Sequence, residues 1–336
     1  MKRWLKSAAF FCLYYSGVEW LMARLIPARA VAVLLYHGVC DRAPIPKHIN
    51  FHVSQNVFER QMRALKRRYR IASLADVVAS LVRGERLQKS VVLTFDDGYR
   101  NNLLVVAPLL NALRLPFTVF VATACVETGR WMPLNEIYWR WSEGMLREEE
   151  MTELRRQIRE RPSSDLPQIL SALRDLSSKP SKSVEDSFAM LNWGEVRQMA
   201  RDGVEFGSHT HSHCNMAIES DEKQIDELRV SKYLLEKNLG HQVNLFAYPY
   251  GKLSEATRRN LLQTRYTCAL SSENGLVTQG ADRLRLPRLG NDRTMWMFTG
   301  EILFQFAKQA ARDAWSGLFG RASENVPATE TEEHHG

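Results

Sequence analysis

The chain has 336 residues, 45% hydrophobic and 25% charged, enough apolar material for one large domain or two small ones and too much for a disordered chain. The formal net charge of +7 suits an anionic partner, yet aromatics do not interleave with the basic residues as a single-strand nucleic-acid platform requires, and no nucleic-acid motif is present. Five cysteines (Cys12, Cys40, Cys125, Cys214, Cys268), odd in number, widely spaced and without a C-x-x-C pair, argue against a disulfide framework or a zinc knuckle.

At the N-terminus, Lys2, Arg3 and Lys6 precede an apolar run from Ala8 to Val18, the opening of a signal peptide. Glu19 and Arg24 interrupt the pattern, however, and the Ala28-Arg29-Ala30 triplet lies far beyond its end. The run is short for a spanning helix, which needs about 20 apolar residues. Two readings stand ahead of a cleaved signal: a helix packed on the domain, and a helix lying in a membrane interface. The second is suggested by Phe10, Phe11, Tyr14, Tyr15, Trp20 and Leu21 with basic flanks.

Strand and helix patterns then alternate. Val31–Tyr36 reads as a buried strand, and Ser54–Tyr69, with Phe58, Met62 and Leu65 on one side, as an amphipathic helix. A short strand over Ile71–Leu74, a helix over Leu74–Val82 and a buried strand over Val91–Phe95 follow. Asn101–Leu113 reads as a helix that Pro108 bends, and Phe117–Ala122 as a strand. From about 142 to 188 charges cluster and Ser, Pro and Lys punctuate the end, the pattern of a polar helical insertion whose role is a lid, a docking surface or decoration. Alternation resumes with helix Trp193–Arg201, strand Val204–Gly207, helix Asp221–Leu239, strand Asn244–Tyr248, helix Ser254–Gln263 and strand Tyr266–Leu270. An aromatic amphipathic helix spans 296–320, and residues 321–336 form an acidic tail in which His334 and His335 have no assigned role. Repeated strand–helix units imply a parallel sheet, open or closed as a barrel.

Chemistry concentrates at predicted strand ends, the edge where parallel α/β folds carry their active sites. Thr94-Phe95-Asp96-Asp97-Gly98 places two carboxylates together. They ionise jointly only beside a cation or several donors, although Asp before Gly also closes ordinary loops. Gly207-Ser208-His209-Thr210-His211-Ser212-His213 offers imidazoles four apart, which a helical turn would bring to one face around a single ion. On such a turn His211 points away from the other two. Cys214, next to His213, reads as a small packed side chain. Weaker signals are Tyr36-His37-Gly38, Tyr248-Pro249-Tyr250-Gly251, and Leu286-Pro287-Arg288 with Asn291-Asp292-Arg293.

The aspartate motif, the histidine motif and Pro249-Tyr250-Gly251 together resemble the first three motifs of the polysaccharide deacetylases, carbohydrate esterase family four with its NodB-homology domain, over residues 31 to 293. The resemblance implies a distorted (β/α) barrel of about seven parallel strands. The regions expected are an amphipathic, membrane-proximal segment at 1–28, a deacetylase domain at 29–295 with its insertion at about 142–188, and a C-terminal helix and disordered tail at 296–336. It also implies hydrolysis of an acetamide on an amino sugar of a polysaccharide or lipid-linked glycan, with Zn2+ or another divalent ion such as Co2+ or Ni2+. Carried over by position, Asp96 matches the general base. Asp97, His209 and His213 match the metal ligands, and the Tyr250 backbone N–H matches the oxyanion donor.

Two departures reshape the rest. Ala247 stands where the family has an arginine that holds the base, and Arg288 is the substitute expected here. No late Leu-x-His motif supplies an acid, so His37 takes that role, as in the circularly permuted branch that includes bacterial exopolysaccharide N-deacetylases. The competing expectations are an O-acetyl esterase or small-amide deacylase on the same scaffold, and a carbohydrate-binding pseudoenzyme. The partners expected are an N-acetylated glycan, no nucleic acid, and a membrane touched peripherally through residues 1–25. The setting expected is bacterial, cytoplasmic or peripheral at the inner membrane rather than secreted.

Overall fold

The computed structural model describes residues 3–40, 51–174, 179–292 and 294–319. Arg293 and the acidic tail, with His334 and His335, lie outside the described residues.

Two helices open the chain, α1 (Arg3–Tyr15) and α2 (Val18–Leu25), where the sequence suggested one segment. Strands follow as β1 (Ala30–Tyr36), β2 (Val39–Cys40) and β3 (Val53–Ser54), then helix α3 (Gln55–Arg68), β4 (Arg70–Ile71) and β5 (Ser90–Phe95). The remaining strands are β6 (Thr118–Val121), β7 (Glu205–Ser208), β8 (Leu245–Ala247), β9 (Cys268–Leu270), β10 (Val277–Thr278) and β11 (Leu289–Gly290). Every residue of β5 and β6 is buried, as expected of parallel strands covered on both faces.

The main sheet runs β10-β1-β5-β6-β7-β8-β9, with β4 on β5 and β11 on β1. All of these pairings are parallel except β1 with β10. The sheet curls until its ends meet. Leu286 bridges in parallel to Leu270 of β9, while Leu289 and Gly290 pair with Leu34 and Leu35 of β1. Residues 286–290 thus occupy the seventh position of a distorted barrel. Pro287 donates no amide hydrogen, which confines it to an interrupted ladder of this kind.

Helix boundaries near the core follow the apolar spacing. Phe58, Met62 and Leu65 of α3 are fully buried, and the Ser73 side chain caps Leu74–Val82 by accepting from the Asp76 amide. The segment expected as one bent helix over 101–113 begins as a π-turn, Asn102–Val106, and becomes α-helical at Ala107, with Pro108 in the first turn, where its missing N–H costs nothing. The helical insertion starts at Pro133 rather than near 142. It comprises Pro133–Ser142, Glu148–Glu160, Leu166–Arg174 and Lys182–Phe188. Its inner side is aromatic and aliphatic, with Ile137, Tyr138, Trp139 and Phe188 in one buried cluster.

The C-terminal helix, Met295–Phe319, packs Phe298, Ile302 and Phe306 into the main core. Its other side receives α1 through Phe10 against Phe304, Phe11 against Trp296, and an ion pair between Lys6 and Glu301. The packed-helix expectation therefore describes one side of α1. No helix among the described residues is long and apolar enough to cross a membrane.

Candidate active site

The parallel strands deliver the site from their C-terminal ends. The Asp96 amide donates to the Tyr36 carbonyl at 2.9 Å, carrying the β1–β5 ladder one step past the strands. Asp97 then leaves the ladder with φ 77°, and the two carboxylates take different partners.

Asp96 accepts two parallel hydrogen bonds from Arg288, Nη1 to Oδ1 and Nη2 to Oδ2, both 2.8 Å. Arg288 is only 2% exposed, and its Nε donates to the Ser271 carbonyl at 2.8 Å. Burial alone would raise the Asp96 carboxyl, but the guanidinium, with His209 beside it, holds it below its ordinary value. The arginine that clamps Asp96 comes from the segment that closes the barrel. It meets Asp96 from 192 positions away in sequence.

Asp97 faces the histidines. Its Oδ1 lies 3.5 Å from Nε2 of His209 and 3.3 Å from Nε2 of His213. That oxygen is buried and has no hydrogen-bond partner among the described residues. One donor atom from each of the three residues lies within 4.8 Å of the other two. Tetrahedral zinc with bonds of about 2.0–2.1 Å separates its ligand atoms by roughly 3.3 Å, and catalytic sites keep three protein donors. The donor set and the orphaned oxygen therefore fit a divalent cation. Burial opposes ionisation of Asp97, and the two imidazoles outweigh it, holding the carboxyl well below its usual range.

His209 is oriented from behind. Its Nδ1 lies 2.8 Å from the Ala247 carbonyl. A carbonyl only accepts, so Nδ1 carries a proton, and Nε2 is the ring atom turned toward Asp97. Ala247 thus retains a backbone role at the site.

The helical turn expected between His209 and His213 does not form. Residues 209–213 are irregular, with Thr210 at φ 66° and His213 at φ 60°. Such conformations cost on the order of 1–3 kcal/mol each and persist only where their surroundings fix them. Here the Glu227 carboxylate accepts from the amides of His211 (2.8 Å) and Ser212 (2.7 Å) and from the Ser212 hydroxyl (2.8 Å). Thr210 Oγ1 accepts from the His213 amide at 2.9 Å. His211 turns aside, with Nδ1 2.9 Å from Thr123 Oγ1. Cys214 is buried beside Met216.

Tyr250 sits in a short 3-10 turn at φ 58°, its ring 4.9 Å from that of His213. The next residue must be glycine: a Cβ on Gly251 would stand 1.8 Å from Ser272 Oγ. His37 follows β1, and its carbonyl accepts from Asn102 Nδ2 at 3.1 Å. Burial pushes the His37 imidazole below its ordinary value, against the pull of Asp97 and Asp96.

All seven predicted site residues (His37, Asp96, Asp97, His209, His213, Tyr250, Arg288) line one cavity of about 240 Å³. Other walls were not foreseen. Asn135, Tyr138 and Arg159 come from the insertion, with Phe51 and Tyr99 beside them. Asn135 Oδ1 accepts from the Tyr99 hydroxyl at 3.0 Å, while its Nδ2 is buried with no partner among the described residues. The Arg159 guanidinium lies 5.4 Å from the Tyr250 ring centre. The aromatic run around Trp131–Trp141, just ahead of the charged stretch, is the sequence trace of this wall.

Fold and site together define a barrel-like α/β protein with a buried carboxylate–histidine centre, and comparison with known proteins gives its family. The chain belongs to the polysaccharide deacetylase family, whose profile matches residues 83–269, more than half of the sequence. Among solved structures, the Streptococcus pyogenes deacetylase PplD, determined in complex with acetate, superposes with a TM-score of 0.60 at 20% identity, covering 83% of this chain and 99% of that one. IcaB from Ammonifex degensii gives 0.58 at 18% identity, covering 84% and 98%. These two likenesses concern the fold. A curated protein of Bacillus subtilis (strain 168), YxkH, is 25% identical over 95 residues, 28% of this chain and 34% of its own length.

Proposed function

We propose that the protein is a metal-dependent N-deacetylase acting on amino sugars of a polysaccharide or lipid-linked glycan. The observation that carries this reading is a buried carboxylate clamped by Arg288 in the same cavity as the Asp97–His209–His213 donor set. When bound by those three residues, a divalent cation such as zinc supplies Lewis acidity, polarising a carbonyl and acidifying water.

The chain's own groups do the rest. Asp96, kept ionised by Arg288, takes the proton of the attacking water. The two bonds from Arg288 fix its direction. As the acetyl carbon becomes tetrahedral its oxygen gathers charge, and the Tyr250 backbone N–H donates to it. His37 delivers a proton to the departing nitrogen, because an amide anion is a poor leaving group. The low pKa that burial gives this imidazole makes its protonated form a stronger donor. The insertion helices wall the cavity from one side and limit water around these groups. Acetate and a free amino sugar leave.

The test is acetate release with added zinc from chitooligosaccharides, peptidoglycan fragments, poly-N-acetylglucosamine and polyprenyl-linked N-acetylhexosamine, with O-acetylated sugars as the contrast. Asp97→Ala should lose zinc in equilibrium dialysis and activity together. Asp96→Asn should retain zinc and lose about 10²–10⁴ in turnover. Full activity in zinc-free Asp97→Ala protein would overturn the assignment, and release from O-acetylated sugars alone would redirect it to an esterase.

A further inference from the structure

A helix packed on a globular domain normally turns apolar residues inward and polar ones out. The two N-terminal helices depart from this. On α1, Trp4, Leu5, Phe11 and Tyr15 are 65%, 42%, 46% and 64% exposed, and Ala8, Ala9 and Cys12 fill the exposed positions between them. Lys6 of the same helix points inward to Glu301. On α2, Val18, Trp20, Leu21 and Leu25 face out, while Glu19 is 1% exposed and held by Arg68 at 2.9 Å. Lys6 and Glu19 are drawn inward beside the buried Phe10 and Ala23, while Trp4, Phe11, Tyr15 and Trp20 face out.

The border of this ridge is cationic. Arg60, Arg63, Lys66 and Arg67 lie exposed along α3. Tyr14 of α1 joins Arg60, Arg63, Arg67, Arg68 and Met295 around a cleft of about 120 Å³. Arg63 is paired with Glu59 and Arg68 with Glu19. Among the described residues no carboxylate pairs with Arg60 or Arg67. Arg24 stacks 4.3 Å over the outward Trp20 and reaches the Arg67 carbonyl at 3.5 Å, joining ridge and border.

We infer that this face docks on an anionic phospholipid bilayer. Aromatic and aliphatic side chains on one side of a helix, edged by arginines, suit the boundary between headgroups and acyl chains, where Trp and Tyr concentrate. Unpaired guanidiniums beside that ridge complement lipid phosphates, and the cleft between α1 and α3 receives a headgroup. No helix of the face is a membrane span, so the contact is peripheral. This inference stands independently of the deacetylase reading.

The experiment is flotation of the full chain with vesicles of phosphatidylcholine alone and of phosphatidylcholine with one-third phosphatidylglycerol. Expected is co-flotation with the anionic vesicles, about tenfold weaker on neutral ones and weakening with salt. The pairs Trp4→Glu/Phe11→Glu and Arg60→Glu/Arg67→Glu should each lower binding by about tenfold or more, with the main melting transition little changed, since Trp4, Arg60 and Arg67 are exposed and Phe11 gives up its edge contact with Trp296. Absence of binding to anionic vesicles, or binding that survives both pairs, overturns the proposal. So does a concentration-dependent dimer in light scattering that Trp4→Glu/Phe11→Glu abolishes in a protein indifferent to vesicles, which would assign the face to a second copy of the chain.

Discussion

Backbone strain gathers where the chemistry is. Of the six non-glycine residues with positive φ among the described residues, Asp97, Thr210, His213 and Tyr250 belong to the site, an uneven distribution expected when surroundings hold side chains in one useful geometry. The aspartate and histidine motifs were legible because each is contiguous in sequence. Arg288 was legible only as a substitute for the arginine missing at Ala247, since nothing in a linear string brings it to Asp96. Asn135 and Arg159 were not legible at all, because their relation to the cavity depends on how the insertion folds back. In the proposed mechanism Arg288 acts through Asp96, as a positioning residue. Arg288→Met would leave a buried carboxylate without its cation, a change that costs about 3–5 kcal/mol. The expected result is a lower melting temperature together with a fall in kcat of about 10²-fold or more, KM and zinc affinity staying close to those of the parent. Arg288→Lys keeps the charge but loses the fork, and should recover part of kcat. A loss of stability with kcat intact would leave Arg288 a purely structural role.

At the scale of elements, the long helix Asp221–Leu239 illustrates what periodicity reads and what it misses. Its boundaries follow from the pattern. Its function does not, because Glu227 serves backbone amides of a loop whose conformation the sequence misrepresented as a helical turn. Glu227 is 1% exposed and also accepts from Lys223 at 2.8 Å. Burial raises its carboxyl, but Lys223 and the donors of Ser212 outweigh that, and the folded pKa lies below the ordinary value of 4.5. A depressed carboxylate stabilises the fold fully above its unfolded pKa, and that contribution disappears as pH falls through the folded value. Glu227→Gln, neutral and with a misplaced donor, should cost about 2 kcal/mol. Its melting temperature should trail the parent's by a constant gap from pH 8 to pH 5, and the gap should begin to narrow below about pH 4.5 and disappear as the pH falls through the lower folded value. A gap that does not narrow on acidification would mean that shape, not charge, holds the histidine loop. The insertion teaches a related lesson. Its polar surface dominated the composition, while the buried aromatic side that walls the cavity emerged only in three dimensions.

Across the whole molecule, a curled barrel carries the chemistry and a layer of terminal helices lies over part of it. The alternation of strands and helices implied the barrel, but its closure through 286–290 was hidden because Pro287 breaks the strand pattern there. One contact within the terminal layer is especially close. A Cβ on Gly300 of the C-terminal helix would lie 2.5 Å from Cγ of Phe10, the buried anchor of α1. Both atoms belong to the inner parts of their residues, so neither yields as a flexible side-chain end would. Replacing glycine inside a helix normally gains up to about 1 kcal/mol of propensity, whereas Gly300→Val forces Phe10 from its seat, and loss of the aromatic's burial outweighs that gain. The rest of the C-terminal helix keeps its hold on the core through Phe298, Ile302 and Phe306, the last against Tyr69. Gly300→Val should therefore free α1 while sparing the barrel. Trypsin should cut within residues 3–25 about tenfold faster, since cleavage tracks local opening, with the main melting transition and acetate release from a soluble substrate little changed. If the variant instead lost activity in step with its N-terminal protection, the terminal helices and the barrel would form one cooperative unit, and the division into a catalytic body and a docking layer would be wrong.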